Sequence, residues 1–454
     1  MSARLKDSLL KVVALLTVLT IVFLAQPAHA WGPGPGWSDL EHELAHDALV
    51  APSGASLAAQ NADLTPNETQ TSEFFIGRVA VGIVLPESNG SREPSSEDWD
   101  EAERALIWAK ITAALDWWAA RQPNARLSFV YDNGTAAPTP TGYEPVKHGT
   151  DQQGLWIAEV MAHKGFTSAA SYFDQVRQYN HALRRSLQAD WAFTLFIVDS
   201  FNDADGRFAD GYFAYAYING PFAVLTSTVA SYGSRYLDAV LAHEVGHIFG
   251  ALDQYPAANV PCNARAGYLG VENLNSQLSG CPSDVPSIMR GGVSAYAAGA
   301  LDEYARGQLG WRDSDGDGIL DPVDTPISLG QTQHMAAANQ SNVFTFNGRV
   351  QQSAYPSAAR NTLVINKVSQ VQYRVAGGAW LDAQAVDGRF DSLDEAFSFT
   401  TPPLPAGTVT IELRVIDSLG QVLLTQTLAT LEIAGQARLE HTTFMPMLMS
   451  LSRY

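Results

Sequence analysis

The run His243-Glu244-Val245-Gly246-His247-Ile248-Phe249-Gly250-Ala251-Leu252-Asp253 constrains this chain more than any other stretch, because it demands a helix that stops at a set place. Residues four apart on a helix lie one above the other, so the His243 and His247 imidazoles fall on one face and can reach a single metal ion. Glu244, beside the first of them, is placed to take a proton from a water at that metal. Gly250 accepts a left-handed backbone, which ends the helix and turns the chain back. Asp253 then returns as a third ligand and leaves the fourth position of a tetrahedral zinc open to water. The segment ahead of the run places Leu237, Val240 and Leu241 at helical spacing, and Val245, Ile248 and Phe249 continue the apolar face.

The bare His-Glu-x-x-His pattern also occurs at His42-Glu43-Leu44-Ala45-His46. There Leu49 stands where the turn glycine belongs and Pro52 where the third ligand belongs, so that copy reads as a short polar amphipathic segment. The second copy, in contrast, resembles the extended signature of the metzincin zinc metallopeptidases. Their third ligand is usually histidine, but snapalysin-like members carry an aspartate, as Asp253 does here. The resemblance spans about residues 74–311. It implies a mixed sheet with an active-site helix, an antiparallel edge strand lining the cleft, one catalytic Zn2+ and a protein or peptide substrate. It also implies a methionine in a tight turn below the metal, and Ser287-Ile288-Met289-Arg290-Gly291 supplies Met289. The chain departs from members that place a tyrosine two positions after that methionine. Tyr255 stands close enough in sequence to contact the reacting carbonyl instead, or simply to pack beside the site.

With 454 residues the chain is too long for one compact core and suits two or three domains. Arg4, Lys6 and Lys11 flank the apolar run from Val12 to Ala25, and Ala28-His29-Ala30 has small residues at both cleavage-site positions. This is the pattern of a signal peptide covering residues 1–30, too short to be a comfortable transmembrane anchor. The expected location is therefore outside the cell, secreted or at the surface. The formal charge of −19 becomes more negative once that segment is removed, which argues against nucleic acid or anionic membrane as partner and suits bound divalent cations. Cys262 and Cys281 are the only cysteines; in an exported protein they are expected to form one disulfide.

Along the chain, residues 31–72 are rich in Pro, Gly, Ala, Asn and Thr and read as a flexible leader or short pro-segment. A metallopeptidase-like domain over 73–311 follows. Its expected elements are a strand from Phe74 to Leu85, a helix from Trp99 to Arg121 begun by Asp98 or Ser96, and a strand from Arg126 to Tyr131. After an irregular stretch from Thr135 to Thr167 come a helix from Ser171 to Gln188 and a strand from Trp191 to Asp199. Two strands, Tyr212 to Ile218 and Phe222 to Thr226, then precede the 243–253 helix. Tyr212 to Ile218 is the candidate substrate-pairing edge. A further helix is expected over about Leu301 to Leu309.

Residues 312–325 form an acidic loop in which Asp313, Asp315 and Asp317 hold positions 1, 3 and 5 of a calcium-binding loop. Gly318 supplies the turn, Ile319 a carbonyl at position 7, Asp321 position 9, and Asp324 stands where a bidentate glutamate is usual. With no exit helix in view, this is an isolated loop of structural Ca2+ type. From 326 to 435 the pattern changes to short strands. The clearest runs from Thr408 to Ile416, where Val409, Ile411, Leu413 and Val415 alternate with polar residues. An immunoglobulin- or fibronectin-like β-sandwich follows, either a plain appendage or a module with a surface ligand. Residues 436–454 are a C-terminal tail.

The expected fold class is thus an α/β (α+β) metzincin-like domain followed by an all-β sandwich. The function this predicts is a secreted zinc metalloendopeptidase with Glu244 as general base. Asp253 adds negative charge to the metal, so the activity optimum is expected to be somewhat more alkaline than for a three-histidine site. The alternatives are a cell-surface binding protein with a structural or inactive zinc site, against which Glu244 speaks, and a zinc hydrolase of non-peptide amides or esters.

Overall fold

The computed structural model describes residues 46–49, 64–337 and 340–434. The signal-peptide segment, the first His-Glu-x-x-His copy up to Ala45 and the tail after 435 lie outside the described residues. In chain order the first domain contains β1 (His46–Leu49), β2 (Arg78–Val84), β3 (Pro86–Ser88), α1 (Glu101–Arg121), β4 (Ser128–Asn133), β5 (Thr139–Thr141), α2 (Gly154–His163), α3 (Tyr172–Ser186), β6 (Trp191–Val198), β7 (Ala214–Tyr217), β8 (Phe222–Thr226), α4 (Leu237–Ile248), β9 (Arg265–Ala266), β10 (Val271–Glu272), α5 (Val293–Ala298) and α6 (Glu303–Gln308).

Six of these strands make one sheet in the order β1-β7-β8-β6-β2-β4. All its pairings are parallel except β7 with β8. β6 and β8 are buried along their whole lengths, which is what a sheet covered on both faces requires. One face carries α2 and α3, whose Trp156, Ile157, Phe173 and Val176 pack with Ala80, Ala192, Phe196 and Val224. Phe193, pointing the opposite way from Ala192, meets Phe249 at the end of α4. On that side Trp118 of α1 donates its indole N–H to the Ala242 carbonyl of α4 at 2.9 Å, tying the two helices together.

Local chemistry explains the boundaries. α1 begins two residues later than the sequence suggests because Asp100 and Glu103 form a reciprocal capping box, leaving Asp98 outside. Ser171, read from the sequence as the first helical residue, is instead the cap of α3. The stretch read as irregular contains α2, whose start has no side-chain cap to announce it. The leader is not flexible throughout: Arg184 donates to the carbonyls of Pro66 and Gln70, and Gln70, Thr71 and Ser72 are buried. β7, expected as an open edge, is instead covered by β1, paired in parallel from His46–Ala214 to Leu49–Tyr217.

The second domain holds β11 (Ile327–Leu329), β12 (Gln333–Ala337), β13 (Gln340–Gln352), β14 (Val368–Val375), β15 (Leu381–Asp382), β16 (Gln384–Ala385), β17 (Asp394–Thr400), β18 (Gly407–Asp417) and β19 (Val422–Ile433). They form two antiparallel sheets, β11-β13-β17-β16 with β12 on β13, and β15-β14-β18-β19. Val409, Ile411, Leu413 and Val415 of β18 share one apolar core with Phe346, Phe397 and Phe399 of the other sheet, as their alternation requires. The molecule is therefore a mixed α/β domain followed by a β-rich one. The domains are joined by more than the linker. Arg360 forms a two-pronged ion pair with the buried Glu73, and Tyr268 donates to the Tyr355 carbonyl at 2.9 Å while accepting from Leu363 N at 3.1 Å. No described helix is long and apolar enough to cross a membrane.

Candidate metal centre

α4 is buried on every side, from Leu237 to Ile248 apart from Asp238. Its Gly246 is where the Met289 side chain arrives. A Cβ at that position would lie 2.7 Å from the Met289 sulfur, so only glycine lets the two elements approach this closely. The helix closes through Gly250, which has φ +94 and donates to the His247 carbonyl at 2.9 Å, while Ala251 N reaches Gly246 O at 3.0 Å. The chain thereby reverses and brings Asp253 back to the histidines.

The three donor atoms converge. His243 Nε2 lies 3.0 Å from Asp253 Oδ1, His247 Nε2 lies 3.1 Å from the same oxygen, and the two Nε2 atoms are 3.1 Å apart. Each ring is oriented from behind: His243 Nδ1 sits 2.8 Å from the Ile288 carbonyl and His247 Nδ1 sits 2.7 Å from the Ala251 carbonyl. A carbonyl only accepts, so each Nδ1 carries the proton and each neutral imidazole presents the Nε2 lone pair to the centre. Two nitrogen lone pairs and a carboxylate oxygen, all buried, crowd into one spot. That arrangement calls for a positive charge, and two imidazoles with one carboxylate suit zinc. Burial pushes the Asp253 carboxyl up, but positive charge at the centre, which protons on His247 and His243 supply when no cation does, outweighs it and holds Asp253 well below the usual carboxylate range.

Glu244 is fully buried on the same helix, and Tyr255, also buried, places its ring centroid 6.3 Å from that of His243. A small recess opens beside His243, lined by Tyr232, Val240, Ile288, Gly292 and Val293. Behind Asp253 runs an amide network that the sequence did not announce. Asn273 donates to the Asp253 carbonyl at 2.8 Å, and Gln254 donates its side-chain N–H to Asp302 and its backbone N–H to the Met289 carbonyl, at 2.9 and 2.8 Å. Asn275 donates in turn to Gln254 at 2.8 Å. These amides lie in a long loop without periodicity, where nothing in the pattern marks them.

The acidic loop is assembled in part. Asp313, Asp315 and Asp317 bring carboxylate oxygens within 4.8 Å of one another, all exposed. Asp324 faces them: burial first, and then the charges of Asp317, Asp315, Asp321 and Asp313, push its carboxyl up. Asp321 is engaged both within the loop and across to the second domain. Its carboxylate accepts from Ser314 N and Oγ at 2.8 and 2.7 Å and from the Tyr355 hydroxyl at 3.4 Å, so it serves as a brace to the second domain. Ile319 N donates to Asp317 at 2.7 Å within the same loop. The structure corrects the expected disulfide: Cys262 and Cys281 lie side by side as free thiols.

No family model matches the chain, and no curated protein matches it. Among solved structures, the sulfane dehydrogenase SoxCD of Paracoccus pantotrophus aligns at 10% identity over 20% of this chain and 23% of its own, with a TM-score of 0.15. A lipoprotein from Bacteroides thetaiotaomicron aligns at 18% identity over 27% of this chain and 92% of its own, TM-score 0.15. The GH3 β-glucosidase of Bifidobacterium adolescentis aligns at 12% identity over 82% and 51%, TM-score 0.17. This chain thus spans less than a quarter of the dehydrogenase's length, and at such scores none of the three bears on fold or activity.

Proposed function

We propose that the chain is an exported zinc-dependent endopeptidase of metzincin type. The observation that carries this reading is the convergence of His243 Nε2, His247 Nε2 and Asp253 Oδ1 beside Glu244 on one buried helix turn. His243, His247 and Asp253 would hold the zinc. When bound, the metal supplies Lewis acidity, making water a nucleophile near neutral pH and polarising the scissile carbonyl. Glu244 takes the proton from the attacking water and hands it to the leaving amine. The backbone carbonyls of Ile288 and Ala251 keep both imidazoles in the ligating tautomer, and Met289 against Gly246 fixes the floor under the helix. Tyr255 is near enough to His243 to face the reacting group. Asp313, Asp315, Asp317, Asp321 and Asp324, with the Ile319 carbonyl, would hold a structural calcium at the junction of the domains.

The test is zinc content and cleavage of unfolded casein by the full chain and by Glu244→Ala. One zinc in each protein, with cleavage by the unsubstituted chain alone, supports the reading. Zinc in both with cleavage by neither would turn the assignment to a binding protein with a structural metal.

A further inference from the structure

One short turn, Ile288–Arg290, holds the metal centre from two directions. The Ile288 carbonyl meets His243 Nδ1 at 2.8 Å, and the carbonyl of the next residue, Met289, accepts the backbone N–H of Gln254 at 2.8 Å. Gln254 follows Asp253 in the chain, and Asp253 Oδ1 lies 3.0 Å from His243 Nε2. His243, the turn, Gln254 and Asp253 therefore close a ring, in which the turn sets both an imidazole and the carboxylate that faces it. Any slip of the turn against Gln254 changes the spacing of those two donor atoms.

Gln254 is fully buried and all its polar groups are engaged. Besides the bond to Met289, its backbone carbonyl accepts from Gln277 N at 2.7 Å, its side-chain oxygen from Asn275 Nδ2 at 2.8 Å, and its side-chain N–H donates to Asp302 Oδ2 at 2.9 Å. The two side-chain partners are themselves held. Asn275 Oδ1 accepts from Val285 N at 2.9 Å and from Ser283 Oγ at 3.0 Å, which leaves its Nδ2 as the donor toward Gln254. Asp302 Oδ1 caps α6 through Tyr304 N and Ala305 N, and Ser287 Oγ accepts the backbone N–H groups of both Asp302 and Met289 at 3.4 Å. With a donor on one side and a carboxylate on the other, the Gln254 amide fits in one orientation only, and it cannot withdraw without leaving buried polar groups unpaired.

We propose that Gln254 is a positioning residue of the metal centre: its side chain, clamped between Asn275 and Asp302, pins the 253–254 backbone to the 287–289 turn and so sets where Asp253 meets His243. This rests on the reading of His243, His247 and Asp253 as metal ligands. Donor atoms must be held within about 0.5 Å of their working geometry for a site to bind well, and the clamp supplies that restraint from behind Asp253. The hydrogen bond between residues 254 and 302 can be broken and remade by design. Gln254→Glu sets two carboxylates against each other away from water. Gln254→Glu combined with Asp302→Asn restores the bond with donor and acceptor exchanged, while the cap of α6 and the bond from Asn275 keep their acceptors.

The experiment uses the full chain with cobalt(II) and zinc as probes. Visible absorption of the cobalt-loaded chain reads donor geometry, a competitive chelator titration reads zinc affinity, and Tm in chelator reads the fold alone. Gln254→Glu should shift the cobalt bands and weaken zinc binding roughly 10–100-fold, and adding Asp302→Asn should return both toward the parent values. A lower Tm with bands and affinity unchanged would make Gln254 a packing residue and overturn the proposal, as would a loss that Asp302→Asn does not relieve. Should Gln254→Glu not fold, Asp302→Asn alone carries the test. It keeps the cap of α6 but sets amide against amide, and Asn275 prevents Gln254 from turning over, so the bands should shift and zinc affinity fall; no change in either overturns the proposal. A parent chain that binds neither cobalt nor zinc would instead overturn the metal reading itself, and the proposal with it.

Discussion

The two clusters of metal-type donors recognised in the sequence are built by opposite means. His243, His247 and Asp253 are all buried, whereas Asp313, Asp315 and Asp317 are all exposed, although in each set the donor atoms lie within 4.8 Å of one another. The buried set is held by distant parts of the chain: Ile288 orients one imidazole, Met289 supports the helix, and Asn273 holds the loop at Asp253. The exposed set is held by its own loop. Asp313 accepts from Gly316 and Gly318, and Asp317 from Ile319, all within a few residues. A site built from afar is rigid and intolerant of change, while a site built locally is forgiving, because water solvates its charges when the ion leaves.

The largest expected effect falls on the buried set. Glu244→Gln should lower kcat for casein cleavage by roughly 10^2–10^4-fold, the share typical of a positioned general base, with zinc content unchanged. Equal zinc and equal activity would break the assignment of the base. Next comes Gly246→Ala, whose added methyl meets the Met289 sulfur. Overpacking of this kind costs about 1–3 kcal/mol, readable as a lower denaturation midpoint. Insensitivity there would mean that Met289 does not brace the helix. Smaller again, Asn273→Ala should weaken zinc affinity about tenfold in a competitive chelator titration, since outer partners of a metal site contribute on that scale.

The same contrast governs what could be read without a structure. The 243–253 run was legible because its logic is local: two histidines one turn apart, then a glycine at positive φ. Alternation in β18 was legible for the same reason. α2 was missed because no side-chain cap opens it, and α1 was begun at the wrong aspartate because capping geometry, not composition, decides between Asp98 and Asp100. The amides behind Asp253 depend on pairings between residues far apart in sequence, and no periodicity encodes them. The covering of β7 by β1 is a long-range pairing of the same kind. Adjacency of Cys262 and Cys281 was foreseen, but the bond between them was not found.

The smallest effect is expected at the exposed loop. In chelator, Asp315→Asn should change stability by no more than about 0.5 kcal/mol, as for most surface substitutions, and leave casein cleavage within about twofold. Calcium should raise the Tm of the parent chain more than that of the variant, by the linkage between binding and folding. The pH dependence has a definite sign. Burial and then the loop's other aspartates raise Asp324, so without calcium the native state binds that proton more tightly than the unfolded chain does. Its stabilising share is present at acid pH, and stability falls as pH rises from the ordinary aspartate range through the raised one. Calcium, by neutralising the loop, should flatten that fall, and Asp315→Asn should flatten it in chelator as well by removing one of the charges that raise Asp324. A metal-free profile equally steep in parent and variant would show that the loop's aspartates do not act on one another, and the contrast between a distantly built centre and a self-organised loop would lose its second half.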